Sequence, residues 1–105
     1  MRILLCGDTP GITQLIGHVP VENIVGIIAA SIRPQYLTEL ASFAEKVKVP
    51  IFIHPQWNSS DYAQFKRQIL DIAPDIIFVN SYSMIIRDDV LSASTHGGLN
   101  VHPAF

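Results

Sequence analysis

The chain has 105 residues, 49% hydrophobic and 15% charged, and its seven Lys plus Arg against nine Asp plus Glu leave a formal net charge of −2. That balance excludes disorder, and the length fits one domain. No apolar run approaches the ~20 residues that cross a bilayer, and no basic cluster offers a footprint for phosphates, so a membrane span is excluded and nucleic acid is disfavoured as a partner.

Met1 to Cys6 imitates the start of a signal peptide, but Asp8 interrupts it and no small-residue cleavage site follows, so Ile3 to Cys6 reads as the first strand of a cytoplasmic protein. The single cysteine, Cys6, reads as a small core residue. Gly7-Asp8-Thr9-Pro10-Gly11 is a turn and helix start, leading into a short helix through Ile12, Leu15 and Ile16. Ile24 to Ala30 is the second strand. Residues Pro34 to Val47 carry Leu37, Leu40, Ala41, Ala44 and Val47 on one helical stripe. After a third strand, Pro50 to Ile53, Ser59 or Ser60 is expected to cap a helix whose apolar stripe is Tyr62, Phe65, Ile69 and Ile72, with Pro74 marking its end. Ile76 to Val79 is the fourth strand, Asp88 to Ser94 a further helix closed by His96-Gly97-Gly98, and Leu99 to His102 the fifth strand.

Apolar runs alternating with amphipathic stretches predict an α/β fold, a Rossmann-like, doubly wound, mainly parallel sheet of about five strands with helices on both faces. No repeat or linker divides residues 1–105. The fifth strand lacks a following helix to cover it. The chain is therefore expected to be the N-terminal part of a larger domain whose remainder is absent, and to self-associate as a dimer or higher oligomer through its C-terminal part.

In open α/β sheets ligands bind beyond the carboxyl ends of the strands. The polar residues there are Asp8 and Thr9, Ser31 and Arg33, His54, Gln56 and Asn58, then Asn80, Ser81, Tyr82 and Ser83, and finally Asn100 and His102. Asn100 and His102, two apart on a strand, project to one face, and a carboxamide beside an imidazolium suits an oxyanion that develops in acyl transfer. The plainer reading is a polar strand end. Gly7 to Gly11 lacks the third glycine of a dinucleotide turn, and Pro10 removes a phosphate-binding N–H, so a plain turn is expected there. The four histidines form no close-spaced cluster, and no metal site is expected. His54, before Pro55, reads as an exposed loop residue, and Arg33 as a surface residue able to meet a phosphate or carboxylate.

Leu99-Asn100-Val101-His102-Pro103-Ala104-Phe105, preceded by Asn80 to Ile86 and Asp89-Val90-Leu91, resembles the N-terminal catalytic domain of the folate-dependent formyltransferases. That family includes the methionyl-tRNA, glycinamide ribonucleotide and sugar N-formyltransferases. The resemblance implies that Asn100 and His102 are catalytic, that Ser83, Met84, Ile85 and Ile86 hold the folate, and that N10-formyltetrahydrofolate is the formyl donor. The weak acidity favours a primary amine on a small, even nucleotide-sugar, acceptor. The family's catalytic Asp lies beyond the Asn-x-His-Pro segment, and Phe105 stands where a leucine is usual, so the 105-residue chain alone is expected to be inactive. Hydrolysis of the same donor by water, and a non-catalytic α/β binding module, are the alternatives.

Overall fold

The computed structural model describes residues 1–16 and 18–101, apart from the side chains of Gln14, Ile16 and Val101. Five strands, β1 (Ile3–Cys6), β2 (Ile24–Ala30), β3 (Ile51–His54), β4 (Ile76–Asn80) and β5 (Gly98–Val101), form one sheet in the order β3-β2-β1-β4-β5. Every pairing is parallel. The chain winds outward from β1 to β3, then crosses back to lay β4 on the other side of β1. This is the doubly wound arrangement that the alternation of runs predicts.

The helices are α1 (Thr9–Ile16), α2 (Leu37–Val47), α3 (Tyr62–Ile72) and α4 (Asp88–Leu91). Successive strand residues point to opposite faces, and β1 shows the consequence. Ile3 and Leu5 pack with Ile12, Leu15, Leu40 and Ala44 on one face, while Leu4 and Cys6 pack with Tyr62, Phe65, Ile69 and Val90 on the other. Two covered faces leave no place on β1 for a polar residue, which is why the run is unbroken. No helix among the described residues is long and apolar enough to cross a membrane.

Element ends depart from the sequence reading where local hydrogen bonds decide. The stretch expected as helix from Pro34 opens as a 3₁₀ turn, Pro34–Tyr36, before α2 begins. Neither Ser59 nor Ser60 caps α3. Asp61 stands at that position without a side-chain cap, and the Ser59 carbonyl accepts from Tyr62 N in the turn that precedes the helix. The last short helix stops at Leu91, not Ser94, and the Ser94 hydroxyl, with one proton to donate, lies within hydrogen-bond distance of the carbonyls of Leu91 and Gly97, at 2.8 and 2.6 Å. Lys48 and Ala73 end α2 and α3 in the left-handed region, with φ of 61° and 52°, turning their N–H groups back onto last-turn carbonyls.

Candidate active site

The connections from β1 and β4 leave toward opposite faces of the sheet, with Ile12 and Leu15 of α1 packed on one and Val90 of α4 on the other. The Gly7 to Gly11 turn is pressed against the end of β4: a Cβ on either glycine would collide with the Asn80 carbonyl oxygen. Asn80, buried at 3% exposure, donates from Nδ2 to the Gly11 carbonyl at 3.1 Å. Asp8 accepts a 3.1 Å bond from the Ser83 hydroxyl, tying the turn to the loop after β4. The two glycines therefore serve close packing of a plain turn.

That loop, Ser81 to Arg87, crosses the top of the sheet. Met84, Ile85 and Ile86 join Val79, Tyr82, Leu91, Gly98 and Asn100 around a cavity of about 350 Å³. Asn100 sits on β5 in register with Val79 of β4, and its exposed side chain meets the cavity. Among the described residues, the main-chain N–H groups of Met84, Ile85 and Ile86 donate to no protein acceptor. Apolar walls with unspent main-chain donors fit a flat heterocycle rich in ring nitrogens and carbonyls.

Beneath the loop lies a buried polar chain. His54, the last residue of β3, is 2% exposed, with its ring stacked on Phe65 at 4.8 Å and on Tyr82 at 5.7 Å between centroids. Its Nδ1 lies 2.7 Å from the Tyr82 hydroxyl. Burial lowers the His54 pKa from 6.5 to about 4, so the ring is neutral at physiological pH. Burial first, then the partners Cys6 and Asp8, raises Tyr82 far above an ordinary phenol. Burial likewise holds the Cys6 thiol protonated.

No family profile matches the chain. Curated relatives do. A methionyl-tRNA formyltransferase of Thermotoga sp. (strain RQ2) is 31% identical over 99% of this chain and 35% of its own length. The enzymes of that name from Buchnera aphidicola and Corynebacterium diphtheriae are 35% and 33% identical over 77% and 69% of the chain. The chain belongs to the formyltransferase family. It spans about a third of the length of the first of these relatives.

Of the residues that the formyltransferase resemblance singles out, Asn100, Met84, Ile85 and Ile86 stand around one cavity. Ser83 does not line it. Its hydroxyl is bonded to Asp8, and the residue borders a second cavity on the far side of the loop. His102 lies outside the described residues. His54 is a correction: it is buried in the strand rather than exposed in a loop. Its signal was the alternation of β3, in which Phe52 and His54 share the buried face while Ile53 is 44% exposed. Tyr82, counted only as a polar strand-end residue, is the hinge of the buried chain and a wall of the cavity.

Proposed function

We propose that this chain supplies the donor-binding and charge-stabilising part of an enzyme that moves the formyl group of N10-formyltetrahydrofolate onto a primary amine. The observation that carries this reading is the Asn100 carboxamide at the edge of an apolar cavity walled by Met84, Ile85 and Ile86. Those walls and their free main-chain donors would receive the pterin. The Asn100 Nδ2–H group would then donate to the formyl oxygen, on which negative charge builds as the amine nitrogen attacks the formyl carbon. A protonated His102 would be the second donor. The new C–N bond forms, the old bond to N10 breaks, and the proton lost by the amine returns to the tetrahydrofolate nitrogen.

The acceptor we propose is methionyl-tRNA, the substrate in the relatives' name, in place of the small amine that the charge balance favours. That charge argument covers only these 105 residues, a third of the relatives' length. The test is tetrahydrofolate release by the protein at its full natural length, with the donor and methionyl-tRNA or candidate small amines. Asn100→Ala and His102→Ala should each lower turnover by about 10²-fold or more, as removal of an oxyanion donor does. Undiminished turnover in Asn100→Ala refutes the assignment. Free formate in place of a formylated amine would identify the hydrolase.

A further inference from the structure

The bond between His54 and Tyr82 joins parts of the sheet that are not neighbours. β2 and β1 lie between β3 and β4, so the pair reaches across the carboxyl ends of two strands. The His54 ring is nearly parallel to Tyr82, at 13°, and to Phe65 of α3, at 15°, which fixes it against both the loop and the helix. A histidine buried to this degree costs stability unless its ring nitrogens find partners, a cost that an apolar side chain in the same place avoids. The partner that Nδ1 has is a residue walling the cavity beside Asn100.

The loop has few other holds. At its start the Ser81 carbonyl accepts from Asp8 N at 3.4 Å and the Ser83 hydroxyl donates to Asp8 at 3.1 Å. At its end the Arg87 carbonyl accepts from the N–H groups of Val90 and Leu91. Between these ends, Met84, Ile85 and Ile86 make no main-chain hydrogen bond among the described residues, and Ile85 is 84% exposed. Apart from the apolar packing of Ile86, the place of this wall is set by its two anchored ends. A wall left free must be ordered when a ligand docks on it, and that ordering subtracts from affinity.

We propose that His54 is a positioning residue for the donor site: by bonding the Tyr82 hydroxyl it holds the loop wall in the shape that receives the heterocycle of the formyl donor. The role rests on the formyl-transfer reading, since the ligand it serves is the folate. His54 itself touches neither the donor nor the reacting atoms and acts through Tyr82.

The test uses the protein at its full natural length. Tetrahydrofolate binding is measured by calorimetry, and initial rates are measured with the formyl donor and the acceptor varied in turn. Tyr82→Phe keeps the ring and deletes the hydroxyl, and His54→Leu deletes the partner. Each should raise the tetrahydrofolate Kd and the donor KM about three- to tenfold, the value of one hydrogen bond, with kcat and acceptor KM held within about twofold. The double variant should be no worse than the weaker single, because both changes break the same contact. Tyr62→Phe is the control. Its hydroxyl bonds Asp89 at 2.9 Å, but Tyr62 borders neither cavity beside the loop, so its loss should lower the thermal midpoint and leave Kd and KM unmoved. An unaltered Kd in Tyr82→Phe overturns the positioning role even if that variant is less stable, and so does a double variant whose two effects multiply. A wild-type protein that binds no tetrahydrofolate refutes the formyl-transfer reading and the positioning role with it. Wild-type binding with Kd unchanged in both variants refutes the positioning role alone.

Discussion

His54 is held neutral between Phe65 and Tyr82, and its titration limits the acid range of the fold. The unfolded chain takes up a proton on this ring near pH 6.5, whereas the folded chain resists until about 4. Above 6.5 the ring is neutral in both states and its contribution is fully present. As pH falls from 6.5 through about 4 the unfolded state gains protons first, and a pKa difference of that size removes ~3 kcal/mol of stability. Urea unfolding at a series of pH values should show the loss, and His54→Gln should flatten the profile over that window. A wild-type profile level down to pH 4.5 would contradict it. Asn100 was singled out by the formyltransferase resemblance, since strand spacing alone leaves a polar strand end as the plainer reading of Asn100 and His102. His54 was harder to read, because a histidine before Pro55 resembles a loop and hydropathy does not reveal a hydroxyl contributed from 28 positions away.

At the scale of elements, apolar runs locate β1 and β2 most cleanly, because both sheet faces are covered there and hydropathy and burial coincide, whereas Ile53 on β3 and Leu99 on β5 are exposed. Helix ends were less legible, since they depend on bonds between distant residues. Arg2 caps the end of α3, with Nη2 donating to the Ile72 carbonyl at 2.6 Å and Nε reaching the Ile72 and Ala73 carbonyls at 3.2 Å, and no local pattern announces such a contact. The left-handed Ala73 yields a prediction. A Cβ in that region costs about 1–2 kcal/mol, which glycine avoids at the expense of a more mobile unfolded chain. Ala73→Gly should therefore gain up to ~1 kcal/mol net, raising the thermal midpoint by about 4–8 °C in a domain of this size. Ala44→Gly, buried within α2, is the control and should destabilise. A lowered midpoint for Ala73→Gly would show that its left-handed turn carries no relievable strain.

For the whole molecule, the βα rhythm implies a parallel sheet but not its strand order, and the reversal after β3 that lays β4 beside β1 gives β3-β2-β1-β4-β5. That order leaves β5 hydrogen-bonded to β4 alone among the described residues, with Leu99 46% exposed along it. Ile85, in the loop that walls both cavities, is 84% exposed. An open parallel edge with apolar side chains is a template for a second chain, whose pairing would satisfy the edge's N–H and C=O groups and cover Leu99 together. We expect the 105-residue chain to form dimers or higher oligomers through β5. Light scattering across a concentration series should show mass rising with concentration. Leu99→Lys should shift the chain toward monomer, because a charge on an edge strand opposes pairing without disturbing a residue already half in solvent. Amide exchange separates this from general stickiness: protection along Gly98–Val101 should increase with concentration in the wild type and not in Leu99→Lys. A monomer mass that persists at high concentration would show instead that the β5 edge is tolerated in water.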